Sequence, residues 1–444
     1  MSDRTSNTPD EWRNWADSAS CTPDIIAHPG TTTEVSDLIR NAARHGQRVK
    51  AVGSGHSFTP IAVTDGVLLD MSDLDDLIGV DRQRNRVTVG AGMTLYRLNA
   101  HLHKHGLALP NLGDIDRQTI SGAVSTGTHG TGGALHGIAK AIVGLDLVYA
   151  DGTIVQITED DGDVFDAARV SLGALGVTTA VTLQCVPAFL LHAHEAPMQL
   201  TDVLDDLDSL VDGNDHFEFY WFPHTEQTMT KRNNRVDDDA ERKPVGRVRG
   251  FVDDELLSNT AFELLNRIAT RRRRIVPRLN RLSSRALSER QFTDDSFRVF
   301  CSPRRVRFRE MEYAVPRERL ADVLNAVKSW IDEHDEHVSF PIEVRFTAPD
   351  DIWLSTGYDR SNAYIAVHQY HRMNHEPYFE GIEQILRAAD GRPHWGKLHT
   401  LDADALRERY PRFDDFVAVR DKLDPGGLFR NDYLDRVLGV PGQT

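Results

Sequence analysis

The 444-residue sequence predicts an α+β fold with a first domain over residues 1–188, a second over 189–400 and a closing segment over 401–444. Three observations carry this prediction. A chain of this length exceeds one ordinary core and suits two domains of roughly 150 to 250 residues. Short β-prone segments alternate with helical spacing as far as Pro187, where the spacing changes. A strong turn at Pro425-Gly426-Gly427 is followed by large apolar residues at 429–434, giving a tail able to close over the first domain.

Residues 31–45 place Val35, Leu38, Ile39 and Ala42 on one side of a helix that stops at Gly46. A short apolar strand follows at 49–52, then strand signals at 66–69 and 86–89, before helical spacing resumes at 95–105. Strands this short and irregular do not predict a regular doubly wound sheet. Residues 142–149 run into the turn Asp151-Gly152 and return at 153–157 as a hairpin, and 177–186 is the next β-prone segment. The second domain opens with a helix near 200–210 and a strand at 217–222. A charged insertion at 237–243 and helices at 261–268 and 319–331 follow.

A formal charge of −16, from 67 acidic and 51 basic side chains, disfavours nonspecific attraction to nucleic acid. The exception is a run holding Arg271, Arg272, Arg273, Arg274, Arg278, Arg281, Arg285 and Arg290. It reads as a solvent-facing helix or turn, or as a contact with acidic surface on a partner subunit; a place beside an anionic ligand is the alternative. No run approaches the roughly 18 uninterrupted apolar residues that span a bilayer, and no secretory signal is evident, so a cytoplasmic monomer or small homo-oligomer is expected. Cys21, Cys185 and Cys301 are too widely spaced for a metal motif or a disulfide framework and read as buried thiols.

Two small-residue loops carry the functional signal. Gly53, Ser54, Gly55, His56 and Ser57 follow a predicted strand, where a tight turn exposes backbone amides that suit a pyrophosphate. The segment lacks GxGxxG, and alone it reads more readily as a plain turn. Residues 121–133 form the second loop, with Ser121, Gly122, Ser125, Thr126, Gly127, Thr128, His129 and Gly130. Two such loops with intervening β and α units imply an extended ligand with a planar part.

Six segments in order then show a resemblance: GSGHSF at 53–58, LPNLGDIDRQTISGAVSTGTHGTG at 109–132, SLGALGVTT at 171–179, PIEVRFT at 341–347, GRPHWGKLH at 391–399 and LDPGGLFRNDYL at 423–434. They resemble the vanillyl-alcohol oxidase superfamily, specifically its sugar-lactone oxidase and alditol oxidase branch, over almost the whole chain. The resemblance implies a two-subdomain FAD-binding domain made from the N-terminal part and the C-terminal tail, with an α+β cap domain over the flavin ring. It also implies FAD contacts by the loop residues above, by Gly113 and by Val177, and a covalent bond from His56 to the flavin. A neutral imidazole nitrogen is chemically suited to that attack, although a loop histidine that only hydrogen-bonds is the plainer reading.

Glu343 and Arg345 sit two apart on a predicted strand and share one face, where they could form only a structural ion pair. Lys397, taken alone, reads as a solvated lysine. The resemblance places all three in the active site, with Glu343 orienting substrate hydroxyls and Arg345 and Lys397 stabilising negative charge. His368 and Tyr370 form a second i,i+2 pair, candidates for orientation or proton handling. Tyr370 stands where alditol oxidases have a threonine, and Asp114 where they have a serine, which favours lactone over alditol oxidation. Asp114 reads as a hydroxyl ligand or, with Asp116, as a turn cap. Gly113, at the position controlling oxygen access, favours an oxidase using dioxygen over a dehydrogenase.

These readings predict hydride transfer from a CH–OH group of a small sugar-derived substrate, most readily an aldono-1,4-lactone, followed by reoxidation with dioxygen to hydrogen peroxide. An alditol or other sugar or primary-alcohol oxidase, or a dehydrogenase with another acceptor, is the runner-up. A flavin-binding protein without chemistry is the alternative from a different class.

Overall fold

The computed structural model describes residues 11–237, 240–246, 262–301 and 306–442. The Ala261 start of one expected helix and the middle of the charged insertion lie outside them.

Among the described residues up to 188, two larger sheets stand beside two short strand pairs, Trp12–Arg13 with Ser20–Cys21 and Leu107–Ala108 with Val186–Pro187. Val49–Val52 and Ile25–Ala27 flank Val67–Asp70 in a parallel three-stranded sheet. Helix Thr32–Arg44, capped by the Thr31 hydroxyl, lays Val35, Ile39 and Ala42 against it. The second sheet is antiparallel, in the order Ile154–Thr158, Ile142–Val148, Val177–Gln184, Arg86–Gly90, Leu77–Asp81. It contains the expected 142–158 hairpin, with Ile154 opposite Val148.

The tail completes this part. Phe429 enters the core formed by Val35, Ile39, Val67 and Val177. The Asn431 side-chain amide donates to the carbonyls of Pro60, Ile61 and Val63, and the Val49 amide donates to Leu428 O at 2.9 Å. Burying one aromatic ring and satisfying these carbonyls ties chain segments more than 360 residues apart.

Residues beyond 189 build an eight-stranded antiparallel sheet among the described residues. Its order is Arg290–Asp295, Leu190–Gln199, Gln227–Arg235, His216–Trp221, Ile342–Thr347, Asn362–Tyr370, Phe308–Pro316, Arg392–Pro393. Strand alternation gives the sheet two chemically different faces. Ile342, Val344 and Phe346 point to an apolar side shared with helices Leu320–Glu333 and Glu376–Ala388. Their neighbours Glu343 and Arg345 point the other way, as do Glu310, Glu312 and His368.

Some local expectations change. The helix near 200–210 is two short helices, Leu200–Asp205 and Leu207–Asp212, because Asp206 leaves helical geometry at φ −107° and ψ 22°. The arginine run is solvent-facing: its helix Val276–Arg285 buries Val276, Asn280 and Ser284, while Arg290 makes a two-pronged ion pair with Glu195 at 2.7 and 2.9 Å. Cys185 is buried, whereas Cys21 and Cys301 are only half-buried, which corrects the expectation for those two. No helix among the described residues is long and apolar enough to cross a membrane.

Candidate active site

Two adjoining cavities share His56, Ser57, Gln118 and Thr126 in their walls. The first offers about 850 Å³ of space, part of it open to solvent, and is lined by Gly53, Ser54 and Gly55 on one side and Ser121, Gly122 and Ser125 on the other. Gly55 sits at φ +64°, where a side chain would be strained, and a Cβ on Gly53 would fall 2.0 Å from the Thr119 hydroxyl. Among the described residues no group accepts the amide hydrogens of Ser54, Gly55, His56 and Ser57. Four successive unclaimed donors beside a concavity form the kind of nest that binds a pyrophosphate, and the space suits an extended dinucleotide. Lys50 also lines it, buried and held by Phe429 O at 3.1 Å; burial pulls its ammonium down to about 7, partly opposed by Asp424.

The second cavity offers about 740 Å³ of space, part of it open to solvent, and lies against the polar face of the eight-stranded sheet. Glu343, Arg345, His368, Lys397, Asp114, Gly113, Thr128 and His129 all line it. Lys397 arrives there because the segment after Arg392–Pro393 runs beside Phe308–Pro316. The Leu398 amide donates to Glu310 O at 2.9 Å, and the Phe58 amide donates to Gly396 O at 2.7 Å. Trp395, fully buried with its indole donating to Leu354 O at 2.7 Å, anchors this loop. The lysine segment is thereby fastened directly to the loop bearing His56.

Buried charges are interlocked. Arg345 pairs with Glu343, with Glu218 at 2.9 Å and with Asp114 at 3.5 Å. Burial alone would lower its proton affinity, but the carboxylates of Glu343, Asp114 and Glu218 raise it well above the ordinary range. Lys397 pairs with Glu310, whose other oxygen lies 3.5 Å from His368 Nε2. Burial works against the charged forms of both Lys397 and Glu310; their mutual attraction outweighs it, so the lysine is raised and the glutamate lowered. His56 is pushed down to about 4, first by burial and then by Lys397 and Arg117, so its imidazole is neutral over the ordinary pH range. His129, Glu312 and His394 also approach one another within 4.8 Å. His129 Nε2 lies 3.1 Å from Glu312, and the Gly396 amide donates to His394 Nδ1 at 3.1 Å.

Four expected site residues lie outside both cavity walls. Tyr370 follows His368 on the same face, but two residues of strand rise, about 7 Å, carry it past Phe308 and Phe340. Its ring joins Phe58, Val306 and Phe340, and its hydroxyl donates to Glu263 at 2.7 Å. The strand pleat turns the Val177 side chain into the core with Val35 and Val148, while its neighbours Gly176 and Thr178 face the cavity. Gly127, at φ +76°, shapes its loop, and Gly130 allows close approach, because a Cβ there would lie 2.3 Å from Leu112 O.

Sequence reasoning missed Glu218, Tyr220, Glu310, Glu312 and Trp15. The period-two acids in FREMEYAVP and HFEFYW were the available signal, since acids alternating with apolar residues mark a charged sheet face. Tyr220 places its hydroxyl 3.2 Å from both Glu218 and Glu343.

Comparisons with known proteins agree with this geometry. Residues 181–437 match the family model described as D-arabinono-1,4-lactone oxidase, and residues 23–158 match an FAD-binding domain. An L-gulono-1,4-lactone dehydrogenase of Mycobacterium tuberculosis (strain ATCC 25618 / H37Rv) is 46% identical over 96% of this chain and 99% of its own. An L-gulonolactone oxidase of Mus musculus is 36% identical over 96% and 98%, and an alditol oxidase of Streptomyces sp. is 33% identical over 96% and 98%. A solved cholesterol oxidase from B. sterolicum shares the fold at TM-score 0.80 with 18% identity, covering 96% of each chain. Its fold, its nest of free amides and these relatives together make the chain an FAD-dependent oxidoreductase that belongs to the D-arabinono-1,4-lactone oxidase family, within the vanillyl-alcohol oxidase superfamily.

Proposed function

We propose that the chain oxidises a CH–OH group beside the ring carbonyl of an aldono-1,4-lactone, with FAD tethered through His56. In this reading dioxygen takes the two electrons and two protons removed, giving a keto-lactone and hydrogen peroxide in the cytoplasm. The observation that carries it is the convergence of Glu343, Arg345, His368 and Lys397 on a cavity that shares His56 with the glycine-lined one. Relatives bearing gulonolactone names at 46% and 36% identity support the lactone.

FAD, when bound, supplies the hydride acceptor. Arg345 and Lys397 provide positive charge where negative charge develops, and their carboxylate partners hold them in place before reaction. His368 Nδ1 has no hydrogen-bond partner among the described residues while Nε2 faces Glu310. Nδ1 is closed off from the cavity, so His368 orients substrate or handles its proton through Nε2 and Glu310. Glu343 and Asp114 orient the remaining hydroxyls, and Trp15, Phe58 and Phe308 wall off water.

Gly113 supports dioxygen as acceptor, since it leaves the wall beside His129 O without a side chain. The test is a screen of lactones, alditols and aldoses with oxygen uptake and dye reduction recorded together, plus the mass of the His56 peptide. Anaerobic bleaching by a lactone, rapid peroxide formation and a flavin adduct on His56 are expected. Preference for a primary alcohol overturns the substrate assignment, dye reduction without oxygen uptake overturns the acceptor, and absence of bleaching by any sugar overturns the activity.

A further inference from the structure

We infer that Trp15, carried on the N-terminal hairpin, is a positioning residue that sets the His56 imidazole for covalent attachment of the flavin; the inference rests on His56 being the tether. Strands Trp12–Arg13 and Ser20–Cys21 pair to form this hairpin. Its tip grips the His56 loop on both sides. The Trp15 amide donates to Gly55 O at 2.8 Å, and the buried Asn14 side-chain amide donates to Ser57 O at 2.8 Å. The Ser18 hydroxyl donates to Phe58 O at 2.8 Å, while Asn14 Oδ1 accepts from the Ser18 and Ala19 amides and stiffens the tip.

The indole stacks on the imidazole, with ring centroids 5.5 Å apart and planes 27° apart. It cannot swing away freely, because it also packs edge-on against Phe58 at 6.3 Å and Phe308 at 5.5 Å. No hydrogen bond to either His56 ring nitrogen forms among the described residues, so the stack is what restrains ring rotation. Both cavities open onto this imidazole. Restraining a nucleophile's orientation before bond formation lowers the entropy left to lose in the reaction.

The attachment balances as follows. One C–N bond forms between an imidazole nitrogen and the flavin methyl carbon, one methyl C–H and the imidazole N–H are broken, and the two electrons and two protons released pass to dioxygen as hydrogen peroxide. The neutral ring supplies the lone pair for the new bond. Nothing in this sequence of bonds requires Trp15 itself to react; its contribution is geometric.

The experiment compares the natural protein with Trp15→Phe, Trp15→Leu and His56→Ala, each purified with its flavin, denatured in acid and analysed for flavin released against flavin retained on the His56 peptide. Trp15→Leu is the informative variant, since it keeps apolar packing against Phe58 and Phe308 but removes the aromatic face. The ratio of tethered to released flavin should fall about tenfold in Trp15→Leu and stay near the natural value in Trp15→Phe. His56→Ala should release all its flavin. A Trp15→Leu protein that tethers as fully as Trp15→Phe overturns the inference while leaving His56 as the tether. A natural protein lacking the His56 adduct overturns the tether and the inference with it. Asn14→Asp, which removes the amide donor to Ser57 O while leaving the indole in place, should reduce the tethered fraction less than twofold, and a larger loss there assigns the effect to the loop rather than the stack and overturns the inference.

Discussion

Replacing Glu310 by glutamine isolates the electrostatic support of the proposed active site. Glu310 is only 6% exposed, pairs with Lys397 Nζ and lies opposite His368 in the sheet register. Removing one partner of a buried ion pair costs about 3–5 kcal/mol when nothing replaces it. The amide preserves shape and one acceptor oxygen, and Glu312 still acts on Lys397, so about 2 kcal/mol is the expected residue of that cost. If it falls on the transition state, kcat/KM drops about thirtyfold. The pH profile gives the sharper signal. Lys397 is held charged chiefly by Glu310, so losing that carboxylate lowers the pH at which the ammonium deprotonates. The high-pH limb of the rate of anaerobic flavin bleaching therefore moves to lower pH. A variant that keeps both the natural kcat/KM and the natural high-pH limb refutes the assignment of Lys397 as an electrostatic anchor supported by Glu310.

Three further outcomes are expected. In Gly113→Ala the new Cβ lies 3.2 Å from His129 O, close enough to require a small shift, so oxygen uptake should fall at least about tenfold while dye reduction by the same substrate changes little. Tyr370→Phe should cost about 1 kcal/mol of stability through the lost hydroxyl bond to Glu263, measured by urea unfolding, with kcat unaltered. Acid should destabilise the fold before the carboxylates titrate. Burial pushes His216 and His394 down to about 4 and His399 to about 3, so the unfolded chain binds protons that the folded one refuses. This contribution is fully present above about pH 6.5 and is lost as pH falls toward 4, by up to about 3 kcal/mol per histidine. A thermal midpoint that stays level from pH 7 to 5 contradicts it.

Much of the fold was legible because its signals are local. Thr31 and Gly46 bracket helix Thr32–Arg44, and Asp151-Gly152 marks the hairpin between Ile142–Val148 and Ile154–Thr158. The i,i+2 spacing of Glu343 and Arg345 put both on one face, as the strand pleat requires. The same rule puts Tyr370 on the face of His368 but says nothing about how far along the strand a cavity extends, and Tyr370 lies beyond the cavity walls. Val177 was assigned from a matched motif rather than from its own pleat position, and the pleat turns it inward.

By itself the sequence determined most element types, the glycine-lined loop at 53–57 and the order of motifs from His56 to Lys397, because backbone sterics and side-chain period act over a few residues; the 121–133 run, read as a loop, begins inside helix Ile120–Ser125. Only the tertiary structure decided which charges meet. Arg345 gathers Asp114 and Glu218 from elements more than 120 residues away, and Lys397 finds Glu310 across 87 residues. Burial then sets their protonation, a property of the assembled low-dielectric surroundings rather than of any local stretch of chain.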